Sequence, residues 1–446
     1  MRKVFLMSAL SLIVSVSTFA GGLLTNTNQH VSFLRMIARG ASVDIDGVYY
    51  NPAGLGFLPT DGLYLSLNGQ SAYQTRVIDA TFPLFPEEGH TRNYKGTASA
   101  PFIPSVQAAY KNGNWVFSGS FAVGGGGGKA SFDTGLPMFD SKVMAGMAQQ
   151  LQPLVAATGA NAATDLYTIA SAMEGRQFIY AAQFGITYKV NDWLSVFGGG
   201  RMNYFSGGYT GYLTANIKDQ YKGYVSNPTL YSLELDLDQT GWGLTPIIGA
   251  DVKLGKWNMG LKYEFMTSLN IENQTKKNSD PDGALAAYKN GVNTPNDIPA
   301  LLTAAVGYEI LPTLRASVEY HFFDDKQAGM AGDKQEALKG GTNEYLMGIE
   351  WDVHDRVSIS GGYQRTDYAL ADGFQSDTSF SCDSYSLGFG AGIKLSSKLK
   401  LNVAYFWTTY SDYTKKMDNY NGLPLGGTDV YSRTNKVFGL GVDYKF

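Results

Sequence analysis

Four histidines, one cysteine and a run of five glycines are the residues here whose chemistry could be catalytic, and their spacing argues against it. His30, His90, His321 and His354 are scattered, with none of the His or Cys spacings that hold a metal ion. No Gly-x-Ser-x-Gly elbow presents a nucleophile, so a hydrolase would have to assemble its serine and histidine from distant parts of the chain. Gly124 to Gly128, followed by Lys129, resembles a phosphate loop only superficially. The required first glycine falls on Val123 and the required Ser or Thr on Ala130. Five residues without side chains are instead a backbone feature, either the hinge of a loop or a disruption of strand pairing. No catalytic set, metal or cofactor is expected, and the chain is read as a non-enzyme. What remains is charge: Arg201, Lys262 and Arg315 fall on the polar phase of alternating strands, where each can pair with an inward carboxylate or meet the carboxylate of a ligand. His321 shares that phase with Arg315 and Glu319, which suggests a hydrogen-bonded network.

The elements that position these residues are strands. Arg2 and Lys3 precede an apolar run from Val4 to Val16, and Thr18-Phe19-Ala20 supplies a cleavage site, so residues 1–20 read as a secretory signal peptide. Beyond it no run approaches the ~18 apolar residues of a spanning helix. The chain has 53 Gly, 29 Tyr, 24 Phe and 15 Pro, with mean hydropathy −0.15. That combination of aromatic richness and modest hydropathy is expected when apolar residues alternate with polar ones across a barrel wall. A net charge of −4 lacks the basic face that nucleic acid requires, and the lone Cys382 excludes an internal disulfide.

Strand-like runs recur with short and long connectors in alternation. Residues 62–77 form the first run, and a long connector leads to residue 101. Residues 102–110 and 115–123 follow, joined by Lys111-Asn112-Gly113-Asn114, a hairpin signal with positive φ expected at both central residues. A long connector then reaches residue 176. Tight turns are expected at 190–192, 254–256, 311–313, 354–355 and 396–398, with long segments near 207–230, 273–299, 326–342, 370–381 and 415–432. The count is fourteen strands, an even number that places both ends on the periplasmic side. In the last strand Phe438, Leu440, Val442, Tyr444 and Phe446 share one face against Gly439, Gly441, Asp443 and Lys445. Between Leu237 and Trp242 the apolar phase slips, and a bulge near Gly241 would account for it. The fold class is all-β: a 14-stranded antiparallel transmembrane β-barrel over residues 59–446, with a helical outside loop at about 129–175.

That loop carries Leu136, Met138, Phe139, Val143, Met144, Met147 and Leu151, then Leu166, Ile169 and Met173, at helical spacings of three and four. Asp140 or Ser141 would cap the helix, and Pro153 with Gly159 would interrupt it. Its apolar face either packs on the barrel rim or offers a Met-rich landing site for apolar solutes.

Residues 21–58 have no strand pattern of their own and end in Val48-Tyr49-Tyr50-Asn51-Pro52-Ala53-Gly54-Leu55-Gly56-Phe57-Leu58. With Asn51-Pro52-Ala53 at this position and a barrel pattern downstream, the segment resembles the N-terminal hatch of the FadL/TodX family, outer-membrane transporters of long-chain fatty acids and other hydrophobic compounds. The terminal Phe446 likewise resembles the assembly signal of outer-membrane barrels. The resemblance implies a plug inside the barrel, a docking groove on the helical outside loop and a lateral gap at a kinked third strand. It also implies passive, plug-gated uptake of fatty acids or aromatic hydrocarbons. On this reading Leu23, Leu24, Phe33, Leu34 and Ile37 contact the solute and a shift around Asn51, Pro52 and Ala53 opens its exit. Expected partners are a hydrophobic small molecule, outer-membrane lipid and the barrel assembly machinery, with the protein a monomer that binds no nucleic acid. A general diffusion porin and an adhesin or structural barrel are the competing classes.

Overall fold

The computed structural model describes residues 23–446; the expected leader lies outside them. Fourteen strands form one antiparallel ring: β1 Gly62–Thr81, β2 Thr91–Asn112, β3 Trp115–Phe132, β4 Tyr167–Lys189, β5 Leu194–Ile217, β6 Thr229–Leu254 and β7, in two pieces, Trp257–Glu264 and Asn270–Asn278. They continue as β8 Leu301–Leu311, β9 Leu314–Phe323, β10 Thr342–His354, β11 Val357–Asp367, β12 Ser384–Lys394, β13 Leu399–Tyr410 with its extension Tyr413–Met417, and β14 Gly427–Lys445. Each strand pairs with the next, and β14 pairs back onto β1 in register from Tyr64↔Lys445 to Thr81↔Thr428. Closure leaves no free edge, which is what lets a sheet sit in hydrocarbon, where an unpaired N–H or C=O has no water to bond.

The outer surface inverts the burial of an aqueous protein. Leu67, Phe117, Phe184, Trp242, Leu244, Ile248, Leu261, Val318, Met347, Phe389 and Leu440 are all exposed around the ring. Trp115, Trp193, Trp257 and Trp351 are exposed near the short-turn end, where amphipathic rings mark an interface with headgroups. The short turns are tight. In the two-residue loop Gly113-Asn114, Gly113 takes φ 58°, and Gly255 takes 57° at the equivalent place. Only the first central residue is positive, the hairpin geometry with glycine in that position, because Asn112 remains within β2 rather than entering the turn.

The strands run well past their expected limits. Residues 78–81 and 91–101 belong to β1 and β2, residues 124–132 and 167–175 to β3 and β4, and 207–217 to β5. The reason is a change in what each face meets. In the lower barrel the apolar side chains point out. Towards the long-loop end the inner face turns apolar, with Ile78, Tyr94, Phe132, Tyr209, Leu213, Leu233, Leu235 and Leu237 buried in one interior cluster. An apolar-outward pattern loses the strand at that crossover. The phase slip between Leu237 and Trp242 is this same inversion: Leu237 is buried and inward while Trp242 is exposed and outward on an unbroken β6. The expected bulge near Gly241 is absent, since the β5–β6 register runs continuously through Phe205↔Gly241. The irregularity lies in the neighbouring strand, where β7 breaks at residues 265–269 and leaves β6 unpaired on that side between Thr240 and Ile247.

The outside loop is helical over a shorter stretch than expected. It carries α3, Pro137–Gln150, and α4, Gln152–Thr158. Pro153 starts the second helix and Gly159 ends it in the left-handed conformation, φ 70°. Asp140 and Ser141 do not cap α3, which begins with Pro137 after Leu136. Leu166, Ile169 and Met173 are not helical either: Leu166 precedes β4 and the other two lie in it.

Candidate functional site

Residues 23–58 lie within the ring, bonded to inward side chains around its circumference. They form α1, Val31–Met36, α2, Gly47–Tyr50, and a tight turn Pro52–Phe57. Asn28 Nδ2 donates to Gln70 on β1 at 2.9 Å, Ser105 on β2 donates to Gln29 O at 2.7 Å, and Gln183 on β4 to Val48 O at 2.7 Å. Ser317 on β9 donates to Ala38 O at 2.7 Å, and Glu319 accepts from Gly40 N at 2.7 Å. His30 takes its place by bonding Ser66 at 2.8 Å while its Nδ1 accepts from Ser32 N and starts α1. Space for α1 comes from wall glycines. A Cβ on Gly362 would sit 2.8 Å from Ile37, one on Gly390 2.8 Å from Arg35, and one on Gly439 2.7 Å from Leu34.

The Asn51-Pro52-Ala53 turn is a joint with each residue doing a separate job. Asn51 Oδ1 accepts from Gly54 N at 3.1 Å and so caps the turn, while Nδ2 donates to Asp251 on β6 at 2.5 Å. Pro52 presets the first helical residue, and its carbonyl accepts from Thr187 at 2.7 Å. Ala53 is fully buried against Phe197 and Ile247, and its carbonyl accepts from Ser195. Ile37 ends α1 at φ 64°, ψ −71°, with Ala38 N donating to Met36 O at 2.9 Å. A three-residue turn of this hand is strained for a β-branched side chain, by about 1–3 kcal/mol.

The glycine run answers to this segment. Between Ser99↔Lys129 and Ser105↔Ala122 the β2–β3 ladder has no paired residues, so residues 100–104 face residues 123–128 across an interruption in the wall. On the other side β3 bulges against β4 at Val123/Gly125 and Gly126/Gly128, with Gly126 and Gly127 at φ 64° and 110°. The carbonyls freed by this distortion are taken from within. Asn26 N donates to Gly124 O at 2.9 Å, Asn26 Nδ2 to Gly126 O at 2.7 Å and Gln29 Nε2 to Val123 O at 3.1 Å. Gly124 to Gly128 is thus part of the wall, not a loop hinge.

At the loop-end side of this interruption, Leu23 and Leu24 are buried with Met330, Leu338, Tyr368, Leu370 and Phe374. A recess lined by Leu23, Leu24, Met330, Phe374 and the half-buried Lys334 leaves room for little more than a water molecule. Lys334 Nζ lies 4.5 Å from the Phe374 ring centroid and donates to Ser379 O at 3.0 Å. Burial, aided by Lys415, pushes its ammonium down to about 7. Above, α3 turns Leu136, Phe139, Val143, Met144, Met147 and Leu151 inward onto the upper barrel wall, joined by Leu166 and Met173, with Met138 and Ile169 partly buried beside them. This apolar face is covered rather than offered to the medium; burying it on the rim removes more of it from water than exposure would. It leaves an apolar groove where Phe139 faces Leu213, Leu233, Leu235 and Leu285.

The structure distributes the remaining sequence-selected residues differently. Phe33, Leu34 and Ile37 pack with Tyr50, Leu346 and Phe406 at the core of the inner segment, with the Phe33 and Tyr50 rings stacked 5.4 Å apart. All three inward bases are engaged with acids. Arg201 binds Glu264 through two nitrogens at 2.5 and 3.1 Å and lies 4.9 Å from the Tyr49 ring. Lys262 meets Glu264 at 2.7 Å and Tyr49 O at 2.8 Å, and Arg315 meets Glu350 at 2.6 Å and Asp352 at 3.0 Å. His321 bridges Glu319 at 2.5 Å and Glu344 at 2.8 Å, without Arg315. Asp251, Glu264 and Glu350 were missed by sequence reasoning although the inward phase of their strands contained the signal. Arg35 pairs with Glu350, and Arg39 with Asp46 at 2.5 Å.

No protein-family profile and no curated protein match the chain. Solved structures do. A Pseudomonas aeruginosa FadL homologue superposes with TM-score 0.67 at 15% identity, over 96% of this chain and 100% of its own. The Pseudomonas putida toluene transporter TodX gives 0.53 at 12%, over 90% and 94%, and the Ralstonia pickettii toluene transporter TbuX gives 0.54 at 12%, over 99% and 100%. The closed ring, its apolar exterior and this likeness together make the chain an outer-membrane β-barrel with the fold of FadL and the toluene transporters.

Proposed function

We propose that the protein takes up hydrophobic small molecules across the bacterial outer membrane, passively, with residues 23–58 as the gate and the β2–β3 interruption as the lateral exit. The observation that carries this reading is the coincidence of three features: an apolar recess ending on Leu23 and Leu24, inner-segment amides held by the carbonyls of Val123, Gly124 and Gly126, and five β2 residues left without a β3 partner facing that stretch. A solute entering the groove under α3 passes from apolar surface to apolar surface into the recess, so it need not cross the polar outer leaflet unaided. Displacing residues 23–30 frees the β3 carbonyls and opens a path through the wall into lipid. The proteins it resembles, named as a FadL homologue and as toluene transporters, agree with a hydrophobic cargo.

The test is uptake of a labelled alkane or aromatic by cells expressing the wild type or a variant in which residues 124–128 become Val-Thr-Val-Thr-Val. Uptake at the level of empty cells, with the variant still migrating as a folded barrel, supports lateral exit through this stretch. Unchanged uptake removes it.

A further inference from the structure

Beyond the lipid-facing part of β14, whose exposed apolar side chains begin at Phe438, the strand buries Asp429 and Tyr431 among the loops that hold α3. The Tyr431 hydroxyl stands between two carboxylates, 3.1 Å from Asp429 Oδ2 and 3.3 Å from Asp377 Oδ1. Asp429 Oδ1 also accepts from the Tyr420 hydroxyl at 2.6 Å, and Asp377 Oδ2 accepts from Met138 N in the first turn of α3 at 2.7 Å. Asp377, Tyr420, Asp429 and Tyr431 are all buried. Asn421, next to Tyr420, donates to Ser141 on α3 at 3.2 Å. The loops that carry Asp377 and Tyr420 thus both grip the start of α3, and both are tied to the same pair of β14 side chains.

One hydroxyl proton cannot serve two carboxylate oxygens. With Asp429 protonated the contacts close as a chain: Asp429 donates to Tyr431, Tyr431 donates to Asp377, and the charge on Asp377 rests against the N–H of Met138 at a helix start. With both acids ionised, two buried like charges compete for a single donor and repel. We infer that the Asp429 proton is the catch of a pH-sensitive clasp that holds α3 on the barrel and releases it as the medium turns alkaline. Burial, reinforced by Asp377, pushes the Asp429 carboxyl above the usual carboxylate range, and burial raises Asp377 as well. A proton kept only by the closed loop stabilises it fully below the ordinary carboxylate value, and that contribution is lost as pH rises through the raised one. The surrounding charges do not reverse this. Lys415, opposite Asp429 on the β13 extension, favours ionisation of both acids but donates to Gln375 O at 2.7 Å, and Lys142 on α3 favours ionisation of Asp377. Lys334 bonds Ser376 and Ser379 on either side of Asp377, while Asp140 of α3 is held by Arg92 and Tyr94 of β2. β1 sets Ala80 and Ile78 opposite Asp429 and Tyr431, with Arg76 and Arg433 on the next inward rung, and the Cys382 thiol donates to Tyr431 O at 3.5 Å.

A nitroxide spin label on the purified full-length barrel in non-ionic detergent tests the clasp, attached through Gln149→Cys on the exposed side of α3, the native Cys382 being buried. The mobile fraction of its spectrum should be small at about pH 5 and grow several-fold by about pH 9, the span over which raised carboxylates lose their protons. Asp429→Asn keeps the shape and a donor towards Tyr431 while removing the charge, so its label should stay immobile throughout. Asp377→Asn keeps an acceptor for Met138 N and removes the same repulsion, so it should also abolish the pH dependence and serves as the second test if Asp429→Asn does not migrate as a folded barrel. Asp140→Asn weakens the separate contact with Arg92 and should raise mobility at every pH without shifting the midpoint. A wild-type label equally mobile at both ends of the range, or a folded Asp429→Asn or Asp377→Asn barrel that titrates like the wild type, overturns the clasp. Because the label reports α3 alone, this result is independent of whether the barrel takes up a hydrophobic solute.

Discussion

At the scale of single residues, two positions in the inner segment make opposite uses of backbone geometry. Asn51 satisfies the turn it begins and anchors that turn to Asp251. Asn51→Ala deletes both bonds and leaves Asp251 short of a donor, which should lower stability by about 1–3 kcal/mol. Asn51→Asp sets one carboxylate against another and should loosen the segment further, seen as greater sensitivity of cells to bulky antibiotics. Ile37 holds positive φ against its own side chain while packing with Phe33 and Leu34. Truncation should therefore reverse the usual order: Ile37→Gly should resist heating better than Ile37→Ala, because only glycine takes that φ without strain. Equal stability of the two would mean that the turn relaxes when the β-branch is removed. Lys334 acts through charge. With burial placing its ammonium near 7, the folded protein holds it neutral above that pH while the unfolded chain stays charged up to its ordinary value of 10.5. The folded state thus bears the cost of charging it, a cost absent above about 10.5, growing as pH falls and complete below about 7. Binding of an anionic amphiphile in the Leu23–Leu24 recess should fall as pH rises through 7, and Lys334→Met should flatten that profile.

At the scale of elements, the proposed route depends on α3 and β3. The apolar face of α3 is covered by the upper wall, so Met144→Asp with Met147→Asp places two carboxylates in a dry cluster. This double variant should detach the loop and reduce uptake several-fold while the ring, which does not use those residues, still folds. Protease sensitivity confined to residues 133–166 would show the detachment, and intact uptake would show that the groove under α3 is no entrance. In β3, glycine is needed where the inner segment passes closest: a Cβ on Gly125 would press on Leu24 O and lie 2.7 Å from Ile179. Gly125→Ala should therefore push residues 23–30 away from the wall, which increased reactivity of a cysteine placed at Thr27 would report.

At the scale of the whole molecule, the proposed gated transporter and an open pore differ in what residues 23–58 do. The recess in the resting structure holds about a water, so the wild type should pass no sugar in a liposome-swelling assay, whereas a barrel lacking residues 23–58 should conduct freely. Equal conductance of the two would favour a porin. What the chain by itself determined is the repeating part. The period-two alternation of strands such as β9, β13 and β14, the tight turns at Gly113 and Gly255, and an even count of fourteen follow from local rules, because lipid outside and polar interior inside impose one pattern on every strand. The tertiary structure decided what alternation cannot encode. Strand ends moved because the inner face turns apolar under α3, and Ile169 and Met173 proved to be strand because their spacing suits both periods. Arg201 and Arg315 found their acids only once the strands were set in register, since Glu264 and Glu350 lie tens of residues away in sequence, whereas the Glu264 that Lys262 meets is two positions along its own strand. The glycine run acquired its meaning the same way: five residues without side chains are uninformative until the wall on one side and the inner segment on the other show what had to fit between them.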